Sequence, residues 1–435
     1  MDRRIRALVV CATALVSLGV TRPAAATTPN CTSLPNPIII SGSTAVKPYI
    51  AQLSYAMSQE TPTAYTLIYS GPGSCGGVTQ LIGDDGASSC SSQSATGACV
   101  SGSGTYYTAP ASGSSTPTSN TCTFDTGGDH VDVAVSDVFL DTCATMNSQD
   151  TTGFTDNPGF VESMTWVVPS GATGQQAITA AEAYFVIGFP NADGITGTDT
   201  PWQNDQDIFV RNANSGTQII MSGAIGVPAN KWYECPSTTP LCSSMEQSES
   251  GSGGVASGLE GLTGSNIAEG LGILGIDYVE GNPTNALKIL AFKQFGQDFA
   301  YYPDSTSTAL DKQNVRDGHY GLWGYAHFIT RDGETAGTPT ANGLAVLNAL
   351  TGTTSISGFN PQQAIIKSYY IPQCAMTVSR SADNFSSIAP YSDPAPCDCY
   401  FVATATGTAP SSCTACTSNS TCSGGVCRQG YCEPR

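Results

Sequence analysis

Four times along this chain a short apolar run ends in a turn of small and hydroxyl residues. Pro37-Ile38-Ile39-Ile40 runs into Ser41-Gly42-Ser43-Thr44, after which Val46, Tyr49, Ile50, Leu53 and Met57 recur at helical spacing. Thr66–Tyr69 leads into Gly71–Gly77, with Val78, Leu81 and Ile82 beyond it. Val131–Val135 ends at Ser136-Asp137. Asp207–Val210 delivers Arg211 ahead of Ser215-Gly216-Thr217, and Gln218–Met221 continues as a helix. Repeated strand, loop and helix predict an α/β architecture. Pro48 falls in the first helical turn, where it is tolerated. The same order sets Ser43, Thr44 and the Ala45 N–H at a helix start, where unpaired N–H groups favour an anion.

Other segments fit this pattern. Met164–Val168 and Tyr320–Ile329 read as strands. Thr179–Glu182 matches a capping box, with a helix running on through Phe189. Ile267–Val279 alternates glycine with aliphatic residues, as expected of a segment buried between layers. A last helix is expected over 340–350. Residues 83–128, rich in Ser, Gly and Thr and containing Cys90, Cys99 and Cys122, read as a disulfide-pinned surface insertion. Beyond residue 373 cysteines crowd a stretch with almost no aliphatic core, which predicts a small disulfide-held tail.

With 435 residues the chain is too long for one core and suggests two or three units. Only 11% of residues are charged while 40% are hydrophobic, a globular composition with generous loops. Met1–Ala26 has the form of a secretory signal: Arg3, Arg4 and Arg6, an apolar run, then Ala24-Ala25-Ala26. Cys11 follows two valines, unlike a lipoprotein cysteine. Residues 1–26 carry Asp2 and four arginines, so their removal takes the net charge from −18 to −21. Such a chain has no basic face for nucleic acid. Any anion site on it must work through local donors. Of 17 cysteines, all but Cys11 remain after that cleavage, an even number that points to disulfides in an oxidising compartment. Cys235 and Cys242 are spaced to close a small loop.

The chemistry concentrates at Arg211-Asn-Ala-Asn-Ser215-Gly216-Thr217. A guanidinium offers a planar fork of donors to a tetrahedral oxyanion, and the turn adds two hydroxyls and a close backbone. In order, the four turns resemble the phosphate-binding proteins of Pst-type ABC transporters, over roughly residues 37–372. Gly270–Val279 and the Thr179–Phe189 helix followed by Trp202 also look like that family. The resemblance implies a two-lobed type II periplasmic binding protein fold with the ligand cleft between the lobes. On that pattern residues 37–137 begin lobe 1, 138–300 form lobe 2, 301–372 return to lobe 1, and 373–435 are the tail. It further implies phosphate contacts from Thr44, the Ala45 N–H, Ser74, Asp137, Arg211, Ser215, Gly216 and Thr217. ABC transporter membrane subunits, a periplasmic or extracellular setting and a monomer follow from the same resemblance, with no cofactor, metal or catalytic residue. Ala45 replaces a larger residue and Cys75 a small hydroxyl residue of the family.

Asp137 is the telling member. A carboxylate gains nothing beside a fully deprotonated oxyanion, but it can accept a proton carried by phosphate. Sulfate has none to offer at neutral pH. The alternative for Asp137, taken alone, is a helix N-cap after a strand. The three histidines, His130, His319 and His327, lack zinc spacing and read as packing or surface residues. Asp84-Asp85-Gly86 and the acids over 199–207 fit solvated turns better than calcium loops. No Gly-x-Ser-x-Gly elbow with a histidine partner is present, which argues against a serine hydrolase. An extracellular adhesive protein reusing the fold, with the tail as its contact module, is the alternative. A phosphatase-like enzyme is the weaker one.

Overall fold

The computed structural model describes residues 28–84, 90, 98–188, 201–232, 234–235, 246–282, 284–383 and 388–434. The signal segment, Asp85, Gly86, Asp199 and Cys242 lie outside the described residues. The first lobe is built from β1 (Pro37–Gly42), α1 (Lys47–Ser58), β2 (Thr66–Ser70), α2 (Ser74–Gly83), β3 (Ser103–Thr108), β4 (Thr118–Thr123), β5 (Val133–Ser136) and α3 (Leu140–Asn147). Its strand order is β4-β3-β2-β1-β5, with β1 parallel to β2 and β5. Side chains alternate across a strand. Ile38 and Ile40 therefore pack with Tyr49, Ile50, Leu53 and Met57 of α1, while Ile39 joins Val78 and Leu81 of α2 on the opposite face. Burial on both faces is why β1 reads as an unbroken apolar run.

The link to the second lobe is β6 (Phe154–Pro169), a strand of 16 residues. Further elements are β7 (Ala177–Thr179), α4 (Ala180–Gly188), β8 (Ile208–Arg211), α5 (Gly216–Ile225), β9 (Glu234–Cys235), β10 (Glu246–Glu249) and α6 (Ser252–Gly261). β11 (Leu271–Gly275), α7 (Ile276–Glu280), β12 (Leu287–Ile289), β13 (Ala291–Lys293) and β14 (Trp323–Arg331) follow. β6 pairs antiparallel with β14 over residues 154–163 and with β11 over 164–167. β14 lies antiparallel against β5, and β11, β8 and β10 run parallel. One sheet thus runs through both lobes, the α/β class that the sequence predicts. The Thr179 capping box forms: Glu182 N–H donates to Thr179 Oγ1 at 3.0 Å and Thr179 N–H to Glu182 Oε2 at 2.7 Å. α8 (Ala341–Thr351) and α9 (Pro361–Lys367) return to the first lobe, where Val346, Ala349, Leu350 and Ile365 share the α1 core.

The 83–128 segment does more than decorate the surface. Its β3–β4 hairpin adds two strands to the sheet beside β2, with Thr105 opposite Tyr69. Thr and Tyr favour extended backbone, and here they sit inside a composition that otherwise reads as loop. Cys90–Cys99 closes within it, and Cys31–Cys122 staples it to the start of the fold. Cys374 bonds Cys397. Cys399–Cys413, Cys416–Cys427 and Cys422–Cys432 complete the tail, and Cys75–Cys143 joins α2 to α3. Seven disulfides among the described residues belong to an oxidising, extracytosolic compartment. No helix among the described residues is long and apolar enough to cross a membrane.

The tail is also docked. Arg316 donates to the Ala375 carbonyl at 2.8 Å, pairs with Asp398 and lies 4.9 Å over the Phe401 ring. Asp398 and Phe401 belong to α10 (Asp398–Thr406). Asp383 reaches the first lobe: its Oδ2 accepts from Phe139 N–H at 2.7 Å and Thr142 Oγ1 at 2.6 Å.

Candidate anion site between the lobes

Each expected turn forms at the end of a parallel strand. Arg211 closes β8 and is 2% exposed. Its Nη1 donates to Ser252 Oγ at 3.0 Å, its Nε to the Glu249 carbonyl at 3.3 Å and its Nη2 to the Ser250 carbonyl at 3.3 Å. A guanidinium has five N–H donors, so two remain. No carboxylate lies within ion-pair distance of Arg211 among the described residues. Burial pulls its pKa down, and the field of Asp137 is the largest influence working the other way. A buried cation without a partner ion is costly unless something arrives to pair with it.

Ser215 is the N-cap of α5 and accepts the Gln218 N–H at 3.5 Å. The N–H groups of Gly216 and Thr217 have no acceptor among the described residues, as expected of the first positions of a helix. Across the cleft, Ser74 begins α2 behind Gly73, whose φ of +92° suits glycine. Ser74 Oγ accepts the Asp137 N–H at 3.2 Å. Asp137 follows β5 and lies outside α3, whose N-cap is Phe139, so it does not serve as the cap that its sequence position allows. Thr217 Oγ1 donates to Asp137 Oδ2 at 3.5 Å, while Asp137 Oδ1 is buried without a donor.

At Gly216 the second lobe packs directly on the first. A Cβ there would sit 2.5 Å from Ser74 Oγ and 2.7 Å from Asp137 Cβ. Further contacts bridge the lobes: Cys75 N–H donates to the Asn214 carbonyl at 3.0 Å, and Thr44 Oγ1 accepts the Ser252 N–H at 3.4 Å and lies 3.3 Å from Ser252 Oγ. Thr44 therefore stands beside the hydroxyl that holds Arg211. Ala45 is buried between β1 and α1, and its N–H is already given to Ser43 Oγ at 3.0 Å. Helix α1 begins at Lys47, with Val46 as N-cap, so the Thr44-Ala45 turn precedes the helix instead of opening it.

The structure adds residues that the sequence did not mark. Ser252, fully buried at the start of α6, touches both Arg211 and Thr44. The run Ser250-Gly251-Ser252-Gly253-Gly254 is its sequence signal, hidden because the strand before it, Glu246–Glu249, is polar. Tyr278 has its hydroxyl pushed up to about 12 by burial and by Asp277, with Arg211 opposing. Glu162 and Asp277 bring two more buried carboxyls close to Asp137.

The histidines stay outside this site. Each Nδ1 meets one aspartate: His130 with Asp84 at 2.6 Å, His319 with Asp317 at 2.6 Å and His327 with Asp156 at 2.7 Å. Asp84, Cys90, Cys99 and His130 cluster within 4.8 Å, but both cysteines are tied up in their disulfide.

No protein-family model and no curated protein matches the chain. Solved structures do resemble it. A putative phosphate ABC transporter substrate-binding protein from Clostridium perfringens, with bound phosphate, is 14% identical, with a TM-score of 0.45, covering 78% of this chain and 99% of that one. An ABC-type phosphate transport receptor from Vibrio cholerae is 14% identical, with a TM-score of 0.44, covering 78% of this chain and 100% of that one. A possible phosphate binding protein from Planctomyces limnophilus is 14% identical, with a TM-score of 0.40, covering 78% of this chain and 93% of that one. These are likenesses of fold.

Proposed function

We propose that this chain is an exported solute-binding protein that takes inorganic phosphate into the cleft between its lobes and carries out no covalent chemistry. One arrangement carries the reading. A buried Arg211 with two N–H donors to spare stands in the field of a buried Asp137 whose Oδ1 has no donor. The ligand that satisfies both is an oxyanion with a proton on one oxygen. Hydrogen phosphate and dihydrogen phosphate fit, arsenate fits by the same chemistry, and sulfate does not. Thr44, Ser74, Ser215 and Thr217 would supply hydroxyls, and the Gly216 and Thr217 N–H groups would complete the second lobe's share. The Ala45 N–H would join only by leaving Ser43. Delivery to ABC transporter membrane subunits is the role that suits a monomer closing over one ion.

The test is calorimetric titration of the mature chain with phosphate, then with sulfate as competitor. Phosphate binding that sulfate fails to displace supports the reading, and equal binding of both ends it. Asp137→Asn, which can donate to an oxyanion, should narrow discrimination against sulfate by at least about tenfold, since sites built on one buried hydrogen bond discriminate by up to roughly 10⁴–10⁵. Phosphate affinity itself should fall by less.

A further inference from the structure

A second buried acid stands behind Asp137. Glu162 lies on β6 opposite Gly324 of β14, just before β6 passes from pairing with β14 to pairing with β11. It is 1% exposed, and neither side-chain oxygen meets a donor among the described residues. The group that bears on it most is another acceptor, the Asp137 carboxyl. The two residues meet around Gly324, which faces Glu162 across the ladder and where a Cβ would sit 2.5 Å from the Asp137 carbonyl oxygen. Asp277, at the start of α7, is 5% exposed and also has an oxygen without a donor. The Tyr370 hydroxyl feels the charges of Asp277 and Glu162, and Tyr69, Tyr278 and Arg211 face the group from the Asp137 side. No cation lies within ion-pair distance of Glu162 among the described residues.

Ionised carboxylates have only lone pairs to offer each other. Two of them side by side, buried and without a shared cation, cannot both keep their charge easily. We propose that Glu162 is a positioning residue of the anion site, carried as the neutral acid and donating its proton to Asp137. Burial, reinforced by Asp137 and Asp277, holds Glu162 well above the usual carboxylate range. A carboxylate has about four lone-pair sites. Thr217 donates to one Asp137 oxygen and Glu162 adds a second donor, which fixes the carboxylate and leaves lone pairs for a proton on the ligand. Spreading the Asp137 charge over a shared proton also lowers the repulsion that a dianion would meet. The effect on binding rests on the phosphate reading; the shared proton does not.

Two measurements separate them. The infrared difference spectrum of ligand-free wild type minus Glu162→Gln at neutral pH should show a carboxylic-acid carbonyl band. Its absence overturns the proposal, whatever the protein binds. Phosphate titration then compares Glu162→Leu, which cannot donate, with Glu162→Gln, which donates through its amide. Glu162→Leu should bind phosphate at least tenfold more weakly and lose discrimination against sulfate, and Glu162→Gln should recover most of both. A leucine variant indistinguishable from wild type, or a glutamine variant as weak as leucine, overturns the positioning role. If the band is present but wild type binds no phosphate, the phosphate reading fails and the shared proton stands.

Discussion

Replacing Arg211 with alanine removes the buried cation of the cleft. Three of its five donors are spent on Ser252 Oγ and on the Glu249 and Ser250 carbonyls, so two remain for a ligand. Hydrogen bonds to charged groups contribute about 1.5–3 kcal/mol each. Truncating one partner of a buried charge pair costs about 2–5 kcal/mol. The two figures overlap at about 3–5 kcal/mol, or between two and three and a half decades in Kd at about 1.4 kcal/mol per decade. Calorimetry with phosphate reads it directly, with far-UV circular dichroism confirming that the variant is folded. Arg211→Lys keeps the charge but not the fork, and should fall between the two. A folded Arg211→Ala protein that binds phosphate within about threefold of wild type would falsify the assignment of this guanidinium to the anion.

Three other outcomes follow from different parts of the molecule. Lys312 Nζ sits 2.6 Å from Glu280 and 3.2 Å from Asp304, all buried. Lys312→Met leaves two unpaired carboxyls and should cost about 3–5 kcal/mol in urea unfolding. Burial already pushes Glu280 well above the usual carboxylate range against the pull of Lys312. Without Lys312 its folded pKa stays raised, so stability is retained near pH 5 and lost as pH rises toward 9; a deficit that shrinks with rising pH would contradict this. Asp383→Ala deprives Phe139 N–H and Thr142 of their acceptor two residues from Asp137, and should weaken phosphate binding as well as lower Tm. Unchanged affinity would confine the tail to a structural role. With a formal charge of −18 the protein would repel a phosphate ion at long range, so stopped-flow association of phosphate should speed up with added salt, the opposite of a basic binding protein.

Much of this site was legible because its parts are local. A turn such as Ser215-Gly216-Thr217 announces a helix N-terminus within three residues, and an apolar strand before it fixes which end of the sheet it occupies. What stayed hidden depends on distant packing. Glu162 is one acid among Phe160, Val161 and Met164, a pattern that a half-exposed strand would also give; only β14 on one side and Asp137 beyond it make it buried. Ser252 lies behind a polar strand that carries no apolar periodicity. Cysteines dominate the composition of the tail and mask its docking: Cys374, Cys397 and Phe401 sit in the same core as Trp323 and Ile371. The Ser- and Thr-rich strands β3 and β4 pair with each other, and what places them in the sheet is the meeting of β3 with the distant β2, which no local rule supplies.

The long strand β6 has a thermodynamic consequence. Its first ten residues are the sheet partner of one lobe and its next four of the other, with no linker between them. Neither lobe can shed its sheet without exposing backbone groups of a strand on which its neighbour depends. Chains with separable domains melt in stages; this one is tied into a single cooperative unit. The slowest amide exchange should therefore lie midway along the molecule, over residues 160–167, with protection decaying outward into both lobes.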